Sequence, residues 1–291
     1  MPSHRTVVPG EGSNADSPNW SFVERRVGAR WTISNRERKT DRVSRSQQAS
    51  RTAAGVAWLR AAHQVVDSPP RILDDPIAPA LFGDAAAHLA ERGPELFSPG
   101  ALALRSHVLL RSRFAEDQLA AAVRRGGGQY VILGAGFDTF GYRQPSWART
   151  LRIIEVDQPV SQQDKRRRLA DAGIVPPANL IFAAVDFEAE SLIDELARTG
   201  VDVSAPTFFS WLGVSMYLTR DAVDAVFRTV ARFPSSSELV FTFAQPRPPG
   251  SPTTPSIVDP EAAVGEPWLI VFDPDELPRI LREDGFSSVR F

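Results

Sequence analysis

The sequence predicts an α/β fold in which helices cover both faces of a parallel sheet. From residue 129 onward, short apolar runs alternate with helical stretches, and the runs are nearly continuous instead of alternating with polar residues. This pattern is typical of parallel strands that are buried on both faces. A glycine-rich turn, LGAGFD, follows the first run directly. Ligands of such sheets bind beyond the carboxyl ends of the strands, so the turn indicates where a site lies.

Five strands and the helices between them can be assigned in chain order. The predicted strands are YVILGAG, LRIIEVD, LIFAAVDF, TFFSWLGV and ELVFTFA, and the predicted intervening helices are PVSQQDKRRRLADAG, ESLIDELARTG and TRDAVDAVFRTVARF. The stretch DPDELPRILREDGF predicts one more helix. SSVRF, at the end of the printed sequence, predicts the start of a sixth strand.

A helical segment is predicted before the sheet. SRTAAGVAWLRAAH has apolar residues at helical spacing with Ser50 as a candidate N-cap, and DDPIAPALFG predicts a turn and a short helix. A long helix then ends at the glycines of 126–128. The prediction divides the chain into a disordered polar and basic tail (1–48), a helical lid segment (49–128) and a sheet domain (129–291).

Composition excludes several classes of site and partner. The 291 residues include no cysteine, which excludes disulfides, thiolate zinc sites and cysteine nucleophiles. The net charge of −2 gives no general attraction to nucleic acid, and no apolar run is long enough for a membrane span. We therefore expect a cytoplasmic protein without membrane or nucleic-acid partners. A weak nucleic-acid or membrane-surface arm remains an alternative for the basic tail. No metal-ligand spacing is present, so no metal is expected.

The glycine turn and a later acid predict a cofactor that contains adenosine. Gly134 and Gly136 allow a sharp turn and close approach of a ligand. Asp157, 21 residues after Gly136, ends the second strand together with Glu155 and is placed to accept hydrogen bonds from ribose hydroxyls. The alternative is a tight strand–helix turn without a ligand.

Two residues in the turn bear on which cofactor this is. Thr139 takes the place of the third glycine of a dinucleotide fingerprint, and Asp138 would put a negative charge near a pyrophosphate. Both features favour S-adenosyl-L-methionine over NAD or FAD. After the third strand, Asp186 could bond to the adenine amino group and Phe187 could pack on the ring. The alternative is that Asp186 caps the following helix.

Several motifs resemble one family. LGAGFDTFGYR, EVDQPVSQQDK, VDFEAE and FFSWLGVSMYLT resemble the leucine carboxyl methyltransferase-like class of S-adenosyl-L-methionine-dependent methyltransferases, and in particular its actinobacterial, mycobacterial-type branch. The resemblance extends from about Ser50 to Phe291. It implies a Rossmann-like sheet of seven strands, an N-terminal helical lid and methyl transfer from S-adenosyl-L-methionine. The expected reaction is O-methylation of a carboxyl or hydroxyl group on a small molecule.

The resemblance also implies a set of cofactor-binding residues. Gly134 and Gly136 would face the methionine moiety, Asp157 the ribose, Asp186 and Phe187 the adenine, and Arg111 the cofactor carboxylate. Arg113 is the rival of Arg111, and an exposed helix arginine is the alternative for Arg111.

The chain departs from the family at three places. Phe140 replaces a frequent arginine, which predicts that a charge near the site is absent. Leu212 replaces a glutamate found in the members that methylate protein carboxyl groups, which argues against a protein substrate. The chain ends before the seventh strand, so we expect a C-terminally short member that is unstable or inactive.

The catalytic residues are not assigned by the sequence. His63, His88 and His107 lie in predicted helices and are expected to be packed or exposed. Trp211 and Tyr217 could line a substrate pocket or belong to the core, and Tyr142 and Arg143 could close the cofactor site or only pack locally. Two other functions stay open: an NAD-type oxidoreductase, and a truncated, inactive member that acts as a binding protein. The oligomeric state is also open.

Overall fold

Five parallel strands form one sheet in the order β3-β2-β1-β4-β5. The computed structural model describes residues 50–89, 91, 96–246 and 267–291. Its strands are β1 (Gln129–Leu133), β2 (Arg152–Asp157), β3 (Leu180–Ala184), β4 (Thr207–Trp211) and β5 (Glu238–Phe241). This order is that of a Rossmann-like sheet, and it changes direction between β1 and β4. Ligands of such sheets bind at that switch point. The five strand predictions are confirmed.

Seven α-helices lie in the described part of the chain. They are α1 (Arg51–Val66), α2 (Asp84–Ala87), α3 (Pro99–Arg124), α4 (Pro159–Asp171), α5 (Leu192–Arg198), α6 (Arg220–Val230) and α7 (Leu277–Glu283). Three short 3₁₀ helices span Ala78–Phe82, Ser146–Ala148 and Ser215–Tyr217. The predicted N-cap is confirmed, because Ser50 Oγ accepts a hydrogen bond of 3.0 Å from the Ala53 N–H.

The core lies on both faces of the sheet, which explains the continuous apolar runs. Neighbouring residues of a strand point to opposite faces. Val131 and Leu133 of β1 therefore join a cluster with Leu196 of α5 and Phe227 of α6. Tyr130 and Ile132 join a second cluster with residues of α3. The sheet is thus sandwiched between helices, as predicted.

The prediction of a strand in SSVRF is wrong. Residues 287–291 are described, but they lie outside regular secondary structure. They approach the sheet through side chains: Val289 packs against the core, and the ring centroids of Phe243 and Phe291 are 6.1 Å apart. Because this segment does not lie in register beside a strand, it adds no ladder hydrogen bonds. The described part of the chain therefore has five strands, against the seven implied by the resemblance.

The helical segment and the sheet belong to the same compact unit, which spans Arg42–Phe291. The predicted tail (1–48) lies outside the described residues. Among the helices of the described part, none is long and apolar enough to cross a membrane.

A candidate ligand site at the carboxyl ends of the strands

The glycine turn after β1 requires glycine at two positions. Gly134 and Gly136 have φ angles of 62° and 48°, which L-residues with side chains rarely adopt. A Cβ atom on Gly134 would overlap the Val214 side chain, and one on Gly136 would lie 3.0 Å from the Ala53 Cβ. The turn is therefore held between the loop after β4 and helix α1. Close packing of the protein itself demands these glycines, in addition to any ligand.

Asp157 at the end of β2 is bonded directly to this turn. Its Oδ2 accepts a hydrogen bond from the Gly136 N–H, and its Oδ1 accepts one of 2.6 Å from the Gln158 N–H. Burial raises the pKa of Asp157, and although these two N–H groups act in the opposite direction, the pKa stays above its usual value. Each carboxylate oxygen has two acceptor positions, so the side chain can accept further hydrogen bonds.

Helix α3 places Arg111, and not Arg113, at the same edge of the sheet. The Arg111 guanidinium lies against Gly213, two residues after β4, with Nη2 2.7 Å from the position of a Cβ atom there. Arg113 points to solvent instead, where its Nε lies 3.0 Å from Asp117 Oδ1 and its side chain is 55% exposed. Arg111 thus brings a cation to the switch point of the sheet, close to the backbone after β4.

Asp186 and Phe187 follow β3, but the helix-cap alternative for Asp186 is wrong. Helix α5 begins at Leu192, and its N-cap is Ser191, whose Oγ accepts from the Asp194 N–H. Asp186 instead belongs to a preceding turn, in which its Oδ1 accepts a hydrogen bond of 3.0 Å from the Glu188 N–H. The half-buried ring of Phe187 packs with its centroid 6.5 Å from that of Trp211.

A largely buried network of charged residues and one threonine, which the sequence analysis missed, holds the turn to the helical segment. Its members are Arg60, Asp75, Glu116, Asp138, Thr139 and Arg143. The guanidinium of Arg60 donates hydrogen bonds to Asp75 and to Thr139 Oγ1. Arg143 Nε lies 3.5 Å from Asp75 Oδ1, and its guanidinium pairs with Glu116 of α3. Burial raises the pKa of Asp75, but Arg60, Arg143 and Thr139 outweigh this effect and bring the pKa below its usual value.

This network corrects two expectations about charge. The replacement of an arginine by Phe140 does not leave the turn without cations, because Arg60 lies 3.5 Å from Asp138 and the Arg143 guanidinium lies 5.8 Å from the Phe140 ring centroid. Phe140 itself is buried against Tyr130. Because Arg60 partly neutralises Asp138, the negative charge of Asp138 is only a weak argument against the binding of a pyrophosphate.

The histidines of the described residues occupy three different environments. His63 is buried, with Nδ1 2.7 Å from Asp67 Oδ2, and Arg105 of α3 also binds this carboxylate. His88 is exposed beside Glu91. His107 is solvent-accessible on α3, one turn before Arg111, and its pKa is lowered by partial burial and by the Arg111 charge.

Burial distinguishes the two aromatic residues that were candidates for a substrate pocket. Trp211 is fully buried, so its assignment to the core is confirmed and the pocket alternative is wrong. Tyr217 is half-buried in the 3₁₀ helix after β4.

In the part of the chain that the structure describes, no group of three or more histidine and acidic residues could hold a metal ion.

Comparisons with known proteins agree on one family. Residues 53–231 match the family model described as leucine carboxyl methyltransferase. The chain is 32% identical over 267 residues to the "Putative S-adenosyl-L-methionine-dependent methyltransferase YktD" of Bacillus subtilis (strain 168), covering 83% of this chain and 87% of that protein. It is 30% identical over 234 residues to SCO7813 of Streptomyces coelicolor, which bears the same description, covering 75% of this chain and 80% of that protein. A Mycobacterium avium (strain 104) protein, also so described, is 31% identical over 201 residues, covering 66% of each chain.

Proposed function

Because the chain belongs to the leucine carboxyl methyltransferase family of S-adenosyl-L-methionine-dependent methyltransferases, we propose that it methylates a carboxyl or hydroxyl group on a small molecule. The cofactor site would lie at the carboxyl ends of β1, β2 and β4. The observation that best supports this site is that Arg111 lies at the end of β4 and Asp157 at the end of β2, the two strands that flank β1 and its glycine turn. A cation there matches the carboxylate of the cofactor, and a carboxylate matches its ribose hydroxyls.

The residues at this edge fit S-adenosyl-L-methionine by their chemistry. A guanidinium such as that of Arg111 binds a carboxylate well, and the cofactor has one at its methionine end. Asp157 has acceptor capacity left for the ribose hydroxyls. Asp186 and Phe187, at the end of the neighbouring strand, would meet the adenine. Gly134 and Gly136 would lie along the methionine moiety.

When bound, the cofactor supplies a methyl group on a positively charged sulfur. The protein's part is to hold cofactor and acceptor in line and to keep water out. Helix α1 lies over the turn through Ala53, and helix α3 reaches the end of β4 through Arg111. The two helices would thus form walls beside the proposed reaction site, as expected of the predicted lid.

The acceptor determines whether a base is needed. A carboxylate acceptor is already ionised, whereas a hydroxyl acceptor must lose its proton. His107 is the candidate base for a hydroxyl, because it lies on α3 one turn from Arg111 and its lowered pKa favours the neutral form that accepts a proton. Leu212, where a glutamate is implied in protein-methylating members, supports a small-molecule acceptor.

Calorimetric titration of the full chain with S-adenosyl-L-methionine and S-adenosylhomocysteine tests the proposal. Asp157→Asn keeps the size of the side chain but removes its charge, and we expect at least about tenfold weaker binding. Asp164→Asn, on the outer part of α4, is the matched control and should bind as the wild type does. A folded wild-type chain that binds neither compound would contradict the proposal.

NAD belongs in the same titration. Arg60 partly neutralises Asp138, so charge alone does not discriminate against a dinucleotide. Because the chain belongs to a methyltransferase family, we expect no binding of NAD, and binding of NAD without binding of S-adenosylhomocysteine would contradict the cofactor assignment.

A further inference from the structure

A concave site lies beside α4, apart from the proposed cofactor-binding residues. A cavity of about 390 Å³ is formed by the outer side of α4, by Tyr142 and by the segment after α4. The residues of α4 that line the cavity lie between Gln163 and Ala170, which is beyond the first helical turn after β2. None of the proposed cofactor-binding residues lines it.

One cation in this cavity lacks a carboxylate partner. Helix α4 has four consecutive basic residues, 165–168. Lys165 pairs with buried Glu155 at 2.6 Å, and Arg167 and Arg168 both pair with Asp164. Arg166 has no ion pair with any residue that the structure describes. Its guanidinium instead stacks 4.7 Å from the centroid of the Phe182 ring, which holds the charge in place beside the cavity.

The rest of the cavity combines a hydrogen-bond donor with an apolar floor. The Tyr142 hydroxyl makes no hydrogen bond to the described part of the protein, and its ring lies 5.5 Å from Lys165 Nζ. Burial raises the pKa of Tyr142, so the hydroxyl keeps its proton and can donate. Ala170, Ile174 and Pro176 supply apolar surface.

We propose that this cavity binds a small organic acid, whose carboxylate meets Arg166 and Tyr142 and whose apolar body packs against Ala170, Ile174 and Pro176. A planar guanidinium binds a carboxylate with two parallel hydrogen bonds. The apolar floor favours an organic acid over an inorganic anion, and the volume is within the range of small-molecule sites. The proposal does not depend on the methyltransferase function.

The test uses two probes that differ in charge but hardly in shape, 2-naphthoate and 2-naphthamide, titrated into the full chain by calorimetry. Naphthoate should bind at least about tenfold more tightly than naphthamide, which corresponds to the loss of one charge-assisted contact. Arg166→Gln should bring naphthoate down to the affinity of naphthamide. Arg232→Gln, at an exposed arginine outside the cavity, makes the same change in net charge and should have no effect.

Two further experiments locate the binding site and verify that the variant is folded. Ile174→Asp puts a negative charge on the floor and should abolish naphthoate binding, with circular dichroism to verify the fold. Saturating S-adenosylhomocysteine should not displace naphthoate, and a chain that fails to bind that compound can still bind naphthoate. The proposal is overturned by equal affinity for the two probes, by undiminished binding in folded Arg166→Gln, by displacement, or by no binding of naphthoate.

Discussion

The guanidinium of Arg111 lies so close to Gly213 that a Cβ atom there would be 2.7 Å from Nη2. Gly213 also has a φ of 74°. Gly213→Ala should therefore both strain the backbone and displace Arg111, which we expect to weaken S-adenosylhomocysteine binding at least about tenfold in calorimetry.

Gly173→Ala is the matched control for this substitution. Gly173 has a φ of 72°, but a Cβ atom there meets open space. Both variants should lose about 1 kcal/mol of stability from backbone strain, and only Gly213→Ala should lose cofactor affinity. Equal affinity in the two variants would show that the position of Arg111 does not matter.

Arg111 and Arg113 can be tested as a pair. Arg111→Gln removes the cation at the end of β4, so we expect at least about tenfold weaker binding of S-adenosyl-L-methionine. Arg113→Gln removes an exposed arginine of the same helix, with the same change in net charge. It should bind as the wild type does. If Arg113→Gln has the larger effect in calorimetry, the assignment of Arg111 is wrong.

The buried network predicts a large effect on stability at Arg60. Arg60→Met leaves Asp75, which is fully buried, with fewer positive partners, and should cost about 3 kcal/mol in the free energy of unfolding. Arg279→Met breaks an ion pair with Glu283 in which both side chains are more than half exposed, and should cost less than about 1 kcal/mol. Urea denaturation measures both. Similar losses would mean that the network contributes little beyond a surface ion pair.

Glu155 predicts a pH dependence with a defined sign. Burial raises its pKa from 4.5 to about 7, in spite of the contact with Lys165. Between these two values the folded chain binds a proton that the unfolded chain has lost, so the stability contributed by Glu155 falls as pH rises towards 7. Glu155→Gln removes this dependence.

Urea denaturation at several pH values between about 5 and 8 measures this effect. The free energy of unfolding of the wild type, relative to Glu155→Gln, should fall across this range. Glu283→Gln, at an exposed position, controls for the change of residue type. A difference that is constant or that grows with pH would contradict the raised pKa.

The role of His107 can be separated by acceptor type. With phenols as acceptors, His107→Gln should lower kcat by about 10²–10⁴, because the base is lost. With matching benzoates, kcat should stay unchanged, since these acceptors are already ionised. The wild-type rate with phenols should fall as pH drops through the lowered pKa of His107. His88→Gln is the control, and an equal loss with both acceptor types would argue against a base.

Much of the fold follows from the sequence because strands and helices are specified locally. The continuous apolar runs predicted five strands that the structure contains, and Ser50 and the glycines of 126–128 predicted helix ends. The SSVRF prediction failed because strand formation needs a partner edge in register, which a local pattern does not specify. The helix after β3 was likewise predicted, but its N-cap is Ser191, which the sequence analysis did not consider, and not Asp186.

The sequence by itself determined the parallel sheet, the glycine turn and the acid at the end of β2. These depend on residues close in the chain, or on a spacing that every such sheet repeats. Only the tertiary structure decided that Arg111 and not Arg113 lies at the end of β4, and that Arg60 pairs with Asp138. Arg60 and Thr139 are 79 positions apart, and their contact depends on how α1 is rotated against the sheet. Helix rotation is fixed by packing across the whole core, which no local pattern records.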